Sequence, residues 1–517
     1  MTERREKEEI VFFAEINYDD NQKMVGIKTN DRRQHMYLIG QAGVGKSTTI
    51  KNMVCQDIRA GHGVAVIDPY GGLAKKVMDS IPSSRVNDTV YLNLTDTKNP
   101  FSFNILDGVG TSYGHFLVVS NLLAVFKKMW AELRNPRIEY VLRNTILALL
   151  EYPTSTLLGI KKILFDKDYR EKIIGRLADP IVKSFWENEY SRYLKHLQTE
   201  VIAPIQEKLG SFFSIPLIRN IVGQVSSKVD IDEIISKGKI LIVNLSKTIV
   251  GERVSTFLGA MLVTKIQAAI VNQLGMSGDQ RRDFYLYIDE FPDFVTDSFA
   301  DILSKENKSH LNLIISHQYL GQLTSVDQNL KVKDAIFNNI GTILAYRVNN
   351  EDAFFLSKKV TRPRFNKNKL VNLDKRKFYI KVMVDGVISK PLFANVSEPS
   401  LKLEGNRDKI IKISQERYTE PQRLVEEKIA RWLGIIKEGG DLPWSSGIGK
   451  YESKCDKCGI KVYVPFIPDG VRPIYCRQCL SLVKGRIEGK EEAEKTKGIF
   501  LDEAIKENQP HLENELK

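Results

Sequence analysis

The sequence predicts an α/β fold in three parts: a core built on a mainly parallel sheet, an all-helical insertion inside that core, and a small cysteine-containing module. Three observations predict it. Short apolar runs alternate with amphipathic segments in two stretches, residues 36–100 and 226–397, as in repeated β-α units. Residues 101–225, between them, have helical periodicity and few strand signals. Two Cys-x-x-Cys pairs follow residue 450.

The composition is that of a folded protein and favours a polyanionic partner. The 517 residues allow roughly three domains at about 150 residues each. Hydrophobic residues make up 42% and charged residues 27%, and the net charge is +12. We find no run of about 18 uncharged apolar residues and no signal-like apolar core in "MTERREKEEIVFF". We therefore expect a cytoplasmic protein without a transmembrane segment, which reaches the inner face of a membrane only through partners.

The first part of the core is predicted to contain a strand, a loop, a helix and a second strand, in that order. Residues 1–35 are expected to supply N-terminal strands, because "IVFFAEINY" is apolar and aromatic. The segment "HMYLIG" is predicted to be the strand that ends at the first glycine of the loop. The helix "STTIKNMVCQDIRAG" follows and ends at Gly61. Its apolar face carries Ile50, Met53, Val54 and Ile58. The short apolar run "GVAVIDP" is typical of a buried parallel strand, which completes a β-α-β unit.

The rest of the chain is divided by changes of periodicity. After the helical residues 101–225, strand signals return in "KILIVNL", "DFYLYIDEF", "LNLIISHQ" and "GTILAYRV". Asp385 and Gly386 predict a hairpin turn within "FYIKVMVDGVIS". Residues 398–450 are expected to form a helical linker with one amphipathic helix, "PQRLVEEKIARWLGIIK", residues 451–483 a zinc-type module, and residues 484–517 a charged, disordered tail.

A phosphate-binding loop is predicted after the segment "HMYLI". The sequence there fits G-x-x-x-x-G-K-S, in which glycines let backbone N–H groups face bound phosphates. The helix starting at Lys46 directs its positive dipole end toward the same place. Lys46 is expected to reach the β- and γ-phosphate oxygens, and Ser47 to give a hydroxyl ligand to Mg²⁺. The predicted nucleotide-binding residues are Gly40, Gln41, Ala42, Gly43, Val44, Gly45, Lys46, Ser47 and Thr48.

Two carboxylates at the end of another strand complete the predicted catalytic set. Asp289 and Glu290 follow "FYLYI"; Asp289 is expected to bind Mg²⁺ through water, and Glu290 to deprotonate the attacking water. The next strand, "LNLIISHQ", ends at Gln318, which either senses the γ-phosphate or only caps its strand. Asp68, which precedes Pro69, is interpreted as a turn former.

The paired cysteines predict a structural zinc site. Cys455 and Cys458 form one Cys-x-x-Cys knuckle and Cys476 and Cys479 the other, so four thiolates can close a tetrahedral Zn²⁺ site. The segment is too short to bury its own core, so the metal would stabilise its fold. We interpret it as a zinc ribbon, whose partner can be DNA, RNA or protein. Cys55, by contrast, lies on an apolar helix face and is expected to be a core residue.

The order of these motifs resembles the FtsK/HerA superfamily of DNA-pumping ATPases. The chain is most similar to the conjugative coupling proteins of type IV secretion systems, of the TraD/TraG kind, over about residues 10–397. The resemblance is carried by "GIKTNDRRQHMYLIGQAGVGKST", "GVAVIDPYGGLAKKVMDSIP", "NPFSFNIL", "DFYLYIDEFPDF", "LNLIISHQYLGQL" and "IFNNIGTILAYRVNNEDAFFL". The helical block matches the all-alpha insertion of that family, between two parts of a RecA-like P-loop NTPase core.

The resemblance implies a ring, usually a hexamer, that hydrolyses ATP between subunits and moves DNA through its centre. ATP and Mg²⁺ would be held at Lys46, Ser47, Asp289 and Glu290, and Gln318 would be the sensor. Relaxosome or other secretion-system proteins are the further partners that it implies.

The chain departs from that family in three ways. The turn that commonly reads D-P-H-G-D reads D-P-Y-G-G at residues 68–72. Asn307 stands where an arginine often acts on the neighbouring subunit's γ-phosphate, which leaves Lys308, with Lys305 nearby, or Arg347 as candidates for a trans-acting cation. The N-terminal membrane spans of anchored coupling proteins do not occur in this sequence.

A basic run offers one candidate contact for DNA phosphates. Positions 358–377 contain nine basic residues and only one acidic residue, Asp374; Phe365 lies within the same run. They are Lys358, Lys359, Arg362, Arg364, Lys367, Lys369, Lys375, Arg376 and Lys377. The run is equally well explained as a solvated loop, and we see no base-reading module, so any DNA contact is expected to be to the backbone.

Three functions follow from these features. The leading hypothesis is an ATP-driven DNA translocase or coupling protein. The second is a type IV secretion or pilus-assembly ATPase that acts on protein. The third is an ATP-dependent assembly switch in which the zinc module recruits partners.

Overall fold

The structure is a computed structural model that describes most of the chain. The described residues are 9–18, 21–190, 192, 198–274, 281–296, 299–304, 310–323, 330–360, 367–397, 403–436, 451–464, 473–476 and 479. They belong to two compact units, Met1–Ile429 and Ala430–Lys517.

A single eleven-stranded sheet organises the first unit. In chain order its strands are β1 (Ile10–Tyr18), β2 (Asn21–Lys28), β3 (Met36–Ile39), β4 (Gly63–Asp68), β5 (Thr89–Asn93), β6 (Ile240–Asn244), β7 (Phe284–Ile288), β8 (Leu311–His317), β9 (Thr342–Ala345), β10 (Lys377–Lys381) and β13 (Leu392–Val396). The separate hairpin of β11 (Met383–Val384) and β12 (Val387–Ile388) lies between β10 and β13 in the chain. Their spatial order is β2-β1-β13-β10-β9-β3-β8-β7-β4-β6-β5. The seven strands from β9 to β5 are parallel, and the four at the other edge pair antiparallel.

The two kinds of strand differ in burial, as their sequences predict. Every residue of β3, β4, β6 and β7 is buried, because helices cover both faces of the parallel part. In β10 burial alternates, with Phe378 and Ile380 in the core. Because β3, β7 and β8 are parallel, the loops that follow them meet at one edge of the sheet. The register there places Ile39 beside His317 and Ile288 beside Ile315.

Helices cover the sheet and fill the segment between β5 and β6. The helices outside that segment are Thr29–Arg32, Lys46–Ala60, Gly72–Met78, Lys247–Val250, Glu252–Leu274, Phe299–Ser304, Lys331–Asn339, Asn350–Lys359, Asn368–Val371, Arg407–Tyr418 and Gln422–Trp432. Between β5 and β6 the described α-helices are Ser112–Met129, Pro136–Glu151, Gly159–Phe165, Lys167–Ile174, Pro180–Ser184, Ala203–Phe213, Pro216–Val222 and Ile231–Ser236. No strand longer than an isolated bridge occurs among the described residues of this segment, in agreement with the predicted helical insertion.

The helix Glu252–Leu274 is the one described helix that is long and apolar enough to span a membrane. Its residues Glu252–Gln273 have a mean hydropathy of 1.6, but 89% of the apolar window is buried inside the protein. Its apolar side chains are therefore used for packing in the interior, which is typical of a core helix.

The predicted hairpin is present, whereas the predicted linker holds an additional helix. Asp385 and Gly386, with φ of 50° and 76°, join β11 (Met383–Val384) to β12 (Val387–Ile388). In the region expected to be a linker with one helix, Arg407–Tyr418 also folds and packs on β5, where the Oγ of Ser414 accepts a hydrogen bond from the Tyr91 N–H. The prediction missed this helix because its sequence is mostly polar and few of its residues are buried.

Candidate functional site

The loop between β3 and the helix Lys46–Ala60 has the backbone of a phosphate-binding loop. Gly43 and Gly45 have φ of 74° and 119°, a region in which side chains with a Cβ are strained. Gly40 is required for a different reason, because a Cβ there would lie 2.5 Å from the Cβ of Tyr346. The two glycines that define the sequence pattern, Gly40 and Gly45, and the intervening Gly43 are thus each explained by local geometry.

Lys46 folds back over this loop. Its Nζ donates to the carbonyl oxygens of Gly40 at 2.5 Å and Gln41 at 3.1 Å, and its side chain is only 6% exposed. Burial lowers the pKa of Lys46, while the nearby carboxylates of Asp289 and Glu290 raise it. The ammonium group is therefore held within the loop, beside both carboxylates.

Asp289 joins the loop to β7 and β8. Its Oδ2 accepts a hydrogen bond from Ser47 Oγ at 3.0 Å, and its Oδ1 accepts one from Ser316 Oγ. The Asp289 backbone N–H donates to the Ile67 carbonyl on β4 at 3.2 Å. A hydroxyl and a carboxylate in contact are oxygen ligands of the kind that Mg²⁺ prefers, so these residues fit a magnesium ion.

Glu290 lies in an unusual backbone conformation at the start of the 3₁₀ turn Phe291–Asp293. Its φ of 50° is left-handed, which costs a residue other than glycine roughly 1–2 kcal/mol. The side chain is 6% exposed. Burial first, and the Asp289 charge second, raise the pKa of Glu290 above that of an ordinary glutamate, as suits a general base.

Gln318 and Gln322 lie beside this carboxylate. Hydrogen bonds from both side chains act to lower the pKa of Glu290, and the Gln322 Nε2 lies 3.4 Å from its Oε2. The Oε1 of Gln322 also accepts from the backbone N–H of Gln318 at 3.0 Å and of Tyr319 at 3.2 Å. Gln322 was not predicted from the sequence, although it lies in the segment "LNLIISHQYLGQL", one short turn after Gln318.

His317, the last residue of β8, is a buried neutral group behind the glutamines. Burial lowers its pKa to about 3. Its Nδ1 lies 3.2 Å from the Gln322 Oε1, which can only accept, so the proton belongs on Nδ1 and Nε2 accepts from the Tyr37 hydroxyl at 2.5 Å. Tyr37 and His317 thereby fix the orientation of the Gln322 amide.

We expect the Gln322→Ala substitution to move the acid limb of the catalytic pH profile to higher pH. A general base works when ionised, so its activity is present above its pKa and lost as the pH falls through it. Removing a hydrogen bond that lowers the pKa of Glu290 raises that pKa further. Gln322→Glu, which keeps the acceptor oxygen and adds a like charge, should shift the limb in the same direction. The measurement is kcat/KM for ATP against pH, with Gln22→Ala on the exposed strand β2 as the control. If the acid limb lies at the wild-type pH or at a lower pH in both Gln322 variants, this assignment is contradicted.

Asp68 has the structural role that its sequence context suggested. Its carboxylate accepts from the backbone N–H groups of Tyr70 at 2.9 Å and Ala74 at 2.8 Å, so it closes the turn that starts the helix Gly72–Met78. Burial raises the pKa of Asp68, and those backbone N–H groups oppose the shift. Tyr70, at the position of the histidine in the D-P-H-G-D turn, is half exposed.

Of the candidates for a trans-acting cation, Arg347 lies among the described residues. Arg347 lies next to the phosphate-binding loop of its own chain, where its Nε donates to the Gln41 Oε1 at 3.1 Å and its carbonyl accepts from the Gln41 N–H at 2.9 Å. Lys305, Asn307 and Lys308 lie outside the described residues. The identity of this cation stays a prediction.

Part of the basic run is described. Lys358 and Lys359 end the helix Asn350–Lys359, while Lys377 begins β10 and pairs with Asp374 at 2.7 Å. The backbone N–H of Arg376 donates to the Val44 carbonyl at 2.8 Å, which brings the run to the phosphate-binding loop. Lys367, Lys369 and Lys375 are also described, whereas Arg362, Arg364 and Phe365 lie outside the described residues.

The four paired cysteines converge in the second unit. The Sγ atoms of Cys455, Cys458, Cys476 and Cys479 all lie within 4.8 Å of one another, and those of Cys458 and Cys476 are 3.6 Å apart. Zinc–sulfur bonds of about 2.3 Å in a tetrahedron require sulfur atoms to be separated by about 3.8 Å, so the cluster fits zinc. The strands β14 (Tyr451–Lys454) and β15 (Lys461–Val464) form a hairpin around the first pair.

The remaining cysteine is separate from this cluster. Cys55 is buried within the helix Lys46–Ala60, where burial raises the pKa of its thiol. It is a core residue, as its position on the apolar face predicted.

The fold is similar to that of solved coupling proteins and of VirB4. The bacterial conjugative coupling protein TrwBdeltaN70 is 14% identical, with 74% of this chain and 89% of that chain covered and a TM-score of 0.52. The plasmid coupling protein TrwB in complex with ADP and Mg²⁺ is 15% identical, with 74% and 88% covered and a TM-score of 0.51. VirB4 of Thermoanaerobacter pseudethanolicus is 13% identical, with 75% and 96% covered and a TM-score of 0.50.

Sequence comparison identifies the C-terminal module. Residues 449–484 match a family described as a probable treble clef zinc finger. This finding supports a zinc finger, of the treble clef kind rather than the predicted ribbon. The sequence could not distinguish the two folds, because both contain paired Cys-x-x-Cys motifs. No curated protein sequence matches the chain significantly. The first unit therefore has a fold similar to that of TrwB and VirB4, and residues 449–484 carry the match to the probable treble clef zinc finger family.

Proposed function

We propose that this chain is a Mg²⁺-dependent ATPase that translocates DNA as a coupling protein in type IV secretion or conjugative transfer. The observation that carries the ATPase assignment is the contact between Ser47 and Asp289. These residues are 242 positions apart, and their side-chain oxygens lie 3.0 Å from each other beside the glycine-rich loop. That contact joins the two expected magnesium ligands, which an unrelated glycine-rich turn would not do.

The side chains of this site supply positioning and charge. The backbone N–H groups of residues 43–48 bind phosphate oxygens, and Lys46 exchanges its carbonyl partners for the β- and γ-phosphates. Bound Mg²⁺, held by Ser47 and Asp289, would neutralise charge on the phosphates. Glu290 holds a water molecule in line and accepts its proton, and Gln318 contacts the γ-phosphate or that water.

The DNA assignment is supported by different features. The two TrwB structures are of a conjugative coupling protein, and the fold covers most of their length. The positive net charge of this chain and its basic run suit a DNA backbone without sequence readout. We propose a hexameric ring in which neighbouring subunits complete the nucleotide sites, with relaxosome or secretion proteins as further partners.

A second candidate is a secretion or pilus-assembly ATPase that acts on protein. The likeness to VirB4, with a TM-score of 0.50, is almost the same as the likeness to TrwB. An ATP-dependent assembly switch with the zinc finger as adaptor is the third possibility. Both alternatives keep the nucleotide site but do not require DNA to stimulate turnover.

One experiment separates these functions. ATP turnover of the full chain is measured alone, with single-stranded DNA and with double-stranded DNA at constant ionic strength, together with its oligomeric state. We expect Mg²⁺-dependent turnover that DNA raises several-fold, and closed rings. Lys46→Ala is the control for contaminating ATPases. Turnover that DNA leaves unchanged supports the protein-directed alternatives, and ATP binding without turnover supports the switch.

A further inference from the structure

The turn that carries Glu290 is held by side chains from distant helices. The turn contains Phe291–Asp293 and continues to Phe294. Its own hydrogen bonds are few: the Asp293 N–H donates to the Glu290 carbonyl at 3.2 Å and the Phe294 N–H to the Phe291 carbonyl at 3.0 Å. A left-handed residue such as Glu290 persists only where its surroundings stabilise it, so the contacts around this turn matter.

Lys128 supplies the first of these contacts. It lies near the end of the helix Ser112–Met129, 164 positions from Pro292 in sequence. Its Nζ donates to the Pro292 carbonyl at 2.8 Å and to the Asp293 carbonyl at 3.3 Å. An ammonium group thus bonds two successive carbonyls at the end of a one-turn helix, where positive charge is favourable.

Lys247 holds the acidic side chain of the same turn. Its Nζ lies 2.8 Å from the Asp293 Oδ2 and 2.9 Å from a Glu252 carboxylate oxygen. Asp293 and Lys247 are about one-fifth exposed, and this pairing raises the pKa of Lys247 although burial opposes it. The lysine therefore stays charged and bonded throughout the range in which proteins are assayed.

The helix Glu252–Leu274 supplies the third contact, at Gly259. A Cβ on Gly259 would lie 2.4 Å from the Phe294 Cδ1 and 2.9 Å from the Leu245 Cδ1. The Phe294 ring is 1% exposed and therefore packs directly against the backbone of this helix. Any larger residue at position 259 must move the ring and, with it, the end of the turn.

We propose that Lys128 and Gly259 are positioning residues for Glu290, which act by fixing the turn that holds it. The inference rests on the proposed ATPase function. It also assigns a role to the helical segment between β5 and β6: one of its helices contributes a hydrogen-bonding group to the turn that carries Glu290. A displacement of that helix would release the turn and weaken the alignment of the base with its water, whereas the phosphate-binding loop would keep its shape.

The Lys128 test compares three variants in the full chain. Lys128→Met should lower kcat about tenfold or more while KM and the Kd for a fluorescent ATP analogue change less than about twofold, because a misplaced base affects chemistry rather than binding. Lys128→Arg, which can still donate to both carbonyls, should recover part of kcat. Lys127→Met is the matched control, since Lys127 pairs instead with Glu139 at 2.9 Å. Equal loss in Lys127→Met, or a KM that changes as much as kcat, would overturn the proposal.

Gly259→Ala provides an independent test, because it adds one methyl group at the contact with Phe294. Alanine favours an α-helix over glycine by about 1 kcal/mol, yet its Cβ would displace Phe294. We expect kcat to fall. Gly210→Ala, in the helix Ala203–Phe213 with open space around its Cβ position, is the control and should keep full turnover. Unchanged kcat in Gly259→Ala would contradict the role of this contact.

A measurement without turnover separates this inference from the proposed function. Amide hydrogen exchange of residues 288–296 should increase in Lys128→Met and Gly259→Ala but not in Lys127→Met or Gly210→Ala. If the wild-type chain does not hydrolyse ATP, the proposed function fails while exchange still decides whether Lys128 and Gly259 hold the turn. Exchange that stays the same in all four variants would overturn the positioning role itself.

Discussion

Glu290→Gln is expected to lower ATP turnover by about 10²–10⁴-fold while leaving ATP binding intact. The amide has nearly the size of the carboxylate and can keep its contact with Gln322, but it cannot accept a proton from water. The phosphates are expected to contact residues 40–48 instead, so the Kd for an ATP analogue should change little. The measurements are kcat from phosphate release and Kd from fluorescence titration.

The control for this substitution is Glu416→Gln, an exposed glutamate on the helix Arg407–Tyr418. It should have wild-type turnover and binding. Glu290→Gln turnover within a few-fold of the wild type would show that another group accepts the proton. Loss of ATP binding together with turnover would instead indicate that the substitution disturbs the loop.

Arg32→Met is expected to destabilise the first unit by about 3–5 kcal/mol, because it leaves the buried Asp57 carboxylate without its cationic partner and, among the described residues, with only the Tyr287 hydroxyl as a donor. The Arg32 guanidinium donates two hydrogen bonds to Asp57, at 2.7 and 2.8 Å, and one to the Tyr287 hydroxyl at 2.8 Å. Arg32 is 1% and Asp57 0% exposed. The measurement is the shift of the denaturant unfolding midpoint of the full chain.

Two further variants give this prediction its controls. Arg32→Met with Asp57→Leu removes both charges and should recover much of the lost stability, since apolar groups can replace a buried ion pair. Lys167→Met breaks an exposed pair with Glu171, which lies at 3.6 Å, and should change the midpoint little. A midpoint that stays unchanged in Arg32→Met would mean that water or another cation reaches Asp57.

Local patterns predicted the parts of the site that lie on short segments. The glycine-rich loop, the Asp289-Glu290 pair and the cysteine knuckles each need particular residue types at fixed spacing, and the structure brings each group together. The fold class was predictable for a similar reason, because strands buried on both faces are continuously apolar, as in β3, β4 and β7.

The contacts that hold the site were not predictable in this way. Lys128 and Pro292 are 164 positions apart, and no periodic pattern indicates which of many lysines reaches a carbonyl of the catalytic turn. Gln322 was missed because its role depends on how the 3₁₀ turn Leu320–Leu323 folds back toward Glu290. The helix Arg407–Tyr418 was missed because few of its residues are buried, so its sequence lacks a broad apolar stripe.

The two edges of the sheet differ in a way that bears on aggregation. An open strand edge exposes unpaired N–H and C=O groups to which another chain can add. At β5, the Ser414 Oγ accepts a hydrogen bond from the Tyr91 N–H, so the helix Arg407–Tyr418 blocks the addition of a further strand. The outermost strand at the other side, β2, is largely exposed; Lys23 places a charged side chain on it, while Lys28 pairs with Asp385 at 2.7 Å. Concentrated preparations should therefore resist fibre formation through this sheet, even though it has eleven strands.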